Sequence, residues 1–71
     1  MELLMSQHAL DQARERGVSI NEIKETIQKG AKFSQDEKTI AIYRHLKIIF
    51  KKINEKIFVV TVMIRKPENG K

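Results

Sequence analysis

At Gly30 the hydrophobic pattern of this chain changes from a helical period to the period of 2 of a β-strand, and it does not change back. The residues before that glycine have room for two short helices. Those after it form apolar runs joined by links too short for a helix. Ser6 is a good N-cap and Gly17 suits the left-handed position after a helix, so the first helix is expected over 7–16. Its apolar stripe, Ala9, Leu10 and Ala13, is narrow, and small side chains let a helix approach a sheet closely. Ser19-Ile20-Asn21-Glu22 has the spacing of a capping box. Ile20, Ile23 and Ile27 then recur at i, i+3 and i+7, and Gly30 closes a second helix expected over 20–29.

Thr39–Tyr43, Leu46–Ile53 and Ile57–Ile64 are rich in β-branched and aromatic residues and read as strands, with a short one near Lys32–Ser34 before them. Asn54-Glu55 marks one hairpin turn, and the link at Arg44-His45 permits only another. Consecutive strands joined by tight turns make an antiparallel meander. Alternation puts Leu46, Ile48 and Phe50 on the face that the helices cover, with Phe58, Val60, Val62 and Ile64 beside them and Ile40 and Ile42 inward. The other face then carries Tyr43, His45, Lys47, Ile49, Lys51, Val59, Thr61, Met63 and Arg65. For these sets to share faces, the turn near Asn54 needs an odd loop length such as three residues. An outer face that mixes Lys, His, Tyr, Thr and Arg with exposed apolar side chains fits RNA binding, dimerisation or a partner's peptide, or else an ordinary half-wet sheet.

Composition bounds the partners. A chain of 71 residues is one small domain, expected over 1–66 with a disordered tail at 67–71. With no cysteine and two histidines it has no disulfide and no evident structural zinc site. Leu3-Leu4-Met5 is too short to span a bilayer and lacks the basic flank of a signal peptide, so a cytoplasmic protein with no membrane partner is expected. The net charge of +5 is segregated, because residues 1–35 carry five basic and five acidic side chains and residues 36–71 carry nine and four. A basic half suggests a polyanion such as nucleic acid, or lysines that protect a sheet edge.

The chain has no Gly-rich phosphate loop, His-Glu-x-x-His or Gly-x-Ser-x-Gly, and its carboxylates do not cluster as metal ligands would. No metal and no organic cofactor is expected. RNA can be cut without metal, since its own 2′-OH attacks the adjacent phosphorus and the protein supplies a base, an acid and cations. His8, His45, Tyr43, Arg14, Arg16, Lys47, Lys51 and Arg65 are the candidates. On an ideal helix His8, Gln12 and Arg16 form one line down one side. The bland reading makes His8 a surface residue helping to cap the helix and Arg16 a cation at the helix C-terminus.

Ser6-Gln7-His8-Ala9 followed by Arg16-Gly17-Val18-Ser19, with Val59-Val60-Thr61-Val62 in the last strand, resembles a small prokaryotic family of uncharacterised domains over residues 6–64. That family is similar to the RelE/barnase-like superfamily of metal-independent ribonucleases and toxins, which pack N-terminal helices on a curved antiparallel sheet. The resemblance implies His8, Arg16 and Thr61 near one catalytic site. It departs at Gln12, where the family commonly carries an arginine.

The reading as a whole is an α+β, RelE-like domain with two N-terminal helices on a three- to four-stranded antiparallel meander. It is expected to act as a metal-independent endoribonuclease of toxin–antitoxin type, with catalytic His8, Arg16 and Thr61. RNA binding falls to Gln12, Arg14, Tyr43, His45, Lys47, Lys51 and Arg65. Partners would be RNA, ribosome-bound mRNA included, and an antitoxin protein. The alternatives are a non-catalytic RNA- or protein-binding module of the same fold and a homodimeric interaction domain.

Overall fold

A computed structural model describes residues 2–65, so the expected tail at 67–71 lies outside the described residues. The element order is β1 (Glu2–Met5), α1 (Gln7–Arg16), α2 (Ile20–Lys29), β2 (Ala31–Gln35), β3 (Lys38–Tyr43), β4 (Leu46–Ile53) and β5 (Lys56–Ile64). The strands form one sheet in the order β1-β5-β4-β3-β2. No helix among the described residues is long and apolar enough to cross a membrane.

Both helices have the expected bounds, and their caps explain why. The Ser6 side chain accepts from the Ala9 N–H at 3.0 Å, and Gly17 closes α1 at φ 66°. In α2 the Ser19 hydroxyl accepts from the Glu22 N–H at 3.1 Å while Glu22 Oε1 accepts from the Ser19 N–H at 2.8 Å. The Ser19 N–H first, and the Ser19 hydroxyl second, hold the Glu22 carboxyl below its ordinary pKa.

The architecture differs from helices on a plain meander. A strand comes first, and β1 pairs with β5 in parallel, so the sheet is five-stranded and mixed. Leu3 and Met5 pack against the core while Leu4 stands opposite Phe58 on the other face. The strands β2 to β5 do form a meander, with two-residue links at 36–37, 44–45 and 54–55. The first residue of each link, Asp36, Arg44 and Asn54, takes φ 57°.

The turn at Asn54-Glu55 therefore has two residues and not three. Parity is restored further along by a β-bulge, where Ile49 pairs with Thr61 but Phe50 pairs with Val59. Below the bulge Ile57 and Val59 face the helices and are buried; above it Val62 does. Phe58 and Val60 thus stand on the outer face, against the sequence expectation. The β3 register inverts too. Ala41 pairs with Ile48 and is fully buried, which turns Ile40 and Ile42 outward and puts Tyr43 on the helix side beside Leu46.

The core lies between the helices and one face of the sheet. Ala9 and Ala13 of α1 and Ile23 and Ile27 of α2 pack on Ala41, Ile48, Phe50, Ile57, Val59 and Val62. Thr26 is the buried polar residue of this layer, and its hydroxyl donates to the Glu22 carbonyl at 2.8 Å. At the end of α2 the chain runs so close to β3 that a Cβ on Gly30 would lie 2.5 Å from the Thr26 carbonyl oxygen and 2.6 Å from that of Ile42. Only glycine fits there.

Candidate nucleic-acid interface

With both helices on one side, the other face of the sheet has no covering element among the described residues. Its side chains form three rows across the strands. Gln35 and Lys38 lead to Lys51, Phe58 and Leu4 in the first row. Phe33, Ile40, Ile49 and Thr61 make the second, and Ala31, Ile42, Lys47 and Met63 the third. An apolar belt therefore crosses the middle, with lysines above and below it. A shallow cleft of about 250 Å³ opens in the belt, lined by Gln35, Asp36, Lys38, Ile40, Ile49, Val60 and Thr61. That is below the roughly 300 Å³ at which pockets begin to enclose a drug-sized ligand, so the face suits an extended ligand better than a small molecule.

One end of the sheet gathers further cations. The Arg65 N–H donates to the His45 carbonyl at 2.7 Å, which joins the β3–β4 link to the end of β5. Glu22, at the start of α2, lies on the same side of this end as His45. Arg44 places its guanidinium 5.1 Å from the centre of the Tyr43 ring. His45, Arg44 and Arg65 are all exposed there, with Lys47 next on the open face.

Along the β5 rim, α1 is anchored by its own polar residues. The Ser6 N–H donates to the Val59 carbonyl at 3.0 Å and its hydroxyl donates to the Val60 carbonyl at 3.2 Å, at the bulge. Gln12 Oε1 accepts from the Val62 N–H at 3.0 Å, closing the stretch of β5 that β1 is too short to cover. Gln12, expected to bind RNA, is thus tied to the sheet. His8 and Arg16 lie one turn to either side of it on the same flank, about 12 Å apart along the axis at 1.5 Å per residue. Both are exposed, and Arg16 has a distant pairing at 3.9 Å with its neighbour Glu15. Arg14 lies on the opposite flank of α1 from Gln12, since the two are 200° apart on the helix.

Apart from Arg14, the expected residues therefore fall into three places. Lys47, Lys51 and Thr61 share the open face; Tyr43, His45 and Arg65 share one end of the sheet; His8, Gln12 and Arg16 follow the rim. His8 and Arg16 do not converge on one point, and Thr61 stands on the face nearest the rim between them. Lys38, Phe33 and Phe58 belong to the open face and were not anticipated. Phe58 was hidden by the bulge, whereas Phe33 and Lys38 could have been found by pairing Lys32–Ser34 with Thr39–Tyr43.

The motif that carried the family resemblance is mostly structural. Ser6 caps and anchors α1, Ala9 is fully buried, Gly17 takes the left-handed turn, Val18 packs on the core and Ser19 caps α2. His8 and Arg16 are exposed residues of its helical part, and Arg16, in the last turn of α1, also suits the negative end of the helix.

A family model described as a domain of unknown function (DUF4258) matches residues 5–64. No curated protein and no solved structure matches the chain.

Proposed function

The chain belongs to the DUF4258 family, a domain of unknown function, and from its own surface we propose that it binds single-stranded RNA across the open face of the sheet. One observation carries this reading. The uncovered face presents Phe58 beside Lys51, and Phe33 and Ile49 between Lys38 and Lys47, which combines stacking surface with cations. Sequence-tolerant single-strand binders use that combination, because every base has a π-face and every phosphate a charge. The excess positive charge of residues 36–71 lies mostly on these strands and their links.

The test is fluorescence anisotropy of a labelled single-stranded RNA of mixed sequence, titrated at several salt concentrations. Affinity should fall linearly with salt on logarithmic axes, and Lys47→Glu and Lys51→Glu should each weaken binding and flatten the slope. Phe58→Ala should weaken it about 5- to 150-fold, corresponding to roughly 1–3 kcal/mol of stacking. Binding that ignores all three substitutions overturns the assignment to this face.

A second reading adds cleavage, as a metal-independent endoribonuclease of toxin type. It is favoured by His8 and Arg16, exposed on the rim. Kinship with the RelE/barnase-like ribonucleases is part of this reading. RNA incubated with the protein in excess EDTA, free and ribosome-bound, should then yield 2′,3′-cyclic phosphate ends. Folded His8→Ala and Arg16→Ala variants should be silent. Intact RNA in both settings removes the catalytic reading and leaves binding.

A further inference from the structure

The two edges of the sheet are finished differently. At one edge β1 is four residues long, and Ser6 and Gln12 bond the β5 backbone beyond it. At the other edge β2 is exposed along its whole length, and α2 reaches it only through the Gln28 carbonyl at its own C-terminal end. Natural sheets guard such edges with charge, proline or a bulge. The single lysine of β2 does not serve that purpose. Lys32 points to the helix side, where its Nζ donates to the Gly30 carbonyl at 3.2 Å and the Gln28 carbonyl at 3.4 Å. Phe33, in the middle of the strand, is 54% exposed on the open face.

The backbone groups on this edge can be identified. Gln35 and Lys38 flank a two-residue link, so they must be a hydrogen-bonded pair, and alternation makes Phe33–Ile40 and Ala31–Ile42 hydrogen-bonded as well. The N–H and C=O of Lys32 and Ser34 therefore point away from the sheet.

We infer that β2 pairs antiparallel with β2 of a second copy about a two-fold axis at Phe33, joining two sheets edge to edge. This register sets Lys32 opposite Ser34 of the partner copy at both ends, so all four outward N–H and C=O pairs of groups meet in hydrogen bonds. No lysine faces a lysine. The two Phe33 rings become direct neighbours on the open face, the close non-hydrogen-bonded position at which side chains interact best. A register centred on Lys32 would instead oppose like charges and leave Phe33 unmatched. Self-complementarity of this kind is what a two-fold interface requires, and it selects a second copy over a foreign strand. A pairing of two five-residue strands is small beside the roughly 1,200 Å² at which stable complexes begin, so a weak, concentration-dependent dimer is expected.

Sedimentation equilibrium without RNA tests this independently of the proposed function. The wild-type mass should double with rising concentration. Ser34→Pro leaves the β2–β3 ladder intact but removes an outward donor, and should weaken the dimer at least tenfold. Phe33→Lys and Phe33→Glu should each be monomeric, and mixing them should restore a dimer, since residue 33 faces itself across the axis. Ile49→Lys, on the face and away from the edge, should dimerise like the wild type. A wild type that stays monomeric to about millimolar concentration overturns the inference. So does a dimer that survives Ser34→Pro and Phe33→Lys but is lost in Ile49→Lys.

Discussion

Ile49 and Phe50 are neighbours on β4, yet they live on opposite faces of one sheet. Phe50 is fully buried under the helices, packed among residues from every layer of the core. Ile49 stands in an apolar belt that no element covers, between Ile40 and Thr61. Both are large, apolar and β-forming, and the difference is what lies above them. One face is used to hold the fold together. The other is left available, with lysines set around its apolar middle.

The sharpest way to break this comparison is to truncate each neighbour in turn. Phe50→Ala should lower stability by about 3–5 kcal/mol, the range for emptying a buried aromatic site. Ile49→Ala should lower it by about 1 kcal/mol or less. Chemical denaturation of both variants reads the difference, and equal losses would mean that the outer face is covered after all. Next comes Gly30→Ala, where the new methyl meets two backbone oxygens at 2.5 and 2.6 Å that cannot move aside cheaply. About 1–3 kcal/mol should be lost, at a residue that is only half-buried. Gln12→Ala should cost about 1 kcal/mol by leaving the Val62 N–H unpaired at the rim. If it instead abolished RNA binding without changing stability, Gln12 would belong to the ligand and not to the edge.

The smallest effect is acidic. The capping bonds depress the Glu22 carboxyl below its ordinary value of 4.5, so its contribution to stability is complete above that value. The contribution is lost as pH falls through the lower, folded value. The Ser19 amide resonance should report a titration below 4.5, and Glu22→Gln should abolish it while the helix persists.

Local signals in the sequence were sufficient for the helices, because Ser6, Gly17, Ser19, Glu22 and Gly30 each act on their immediate neighbours. The positions of the hairpin links at Arg44-His45 and Asn54-Glu55 were legible for the same reason, but the two-residue length of the second was not. What escaped depends on distant partners. β1 is four residues with no alternation of its own, and its strand character comes from pairing with β5 at the other end of the chain. Residues 57–64 are almost uniformly apolar or β-branched, so no alternation marks the bulge at Val60 that reverses their faces. In β3 the larger isoleucines were assigned inward, but α2 packs close and accepts Ala41 there. Of the candidate site, Lys47, Lys51 and Thr61 on the open face were anticipated, and Lys38 was not. The convergence of His8, Arg16 and Thr61 was an expectation from resemblance, and in the fold His8 and Arg16 lie two helical turns apart.

The central claim is that the uncovered face, and not the helical side, meets RNA. Amide and methyl chemical shifts of the labelled protein, followed while single-stranded RNA is added, test it most directly. The account predicts perturbations centred on Phe33, Ile40, Lys47, Ile49, Lys51, Phe58 and Met63, with α2 and the buried core unmoved. Perturbations confined to the helices, or none at RNA concentrations well above the protein's, would contradict it.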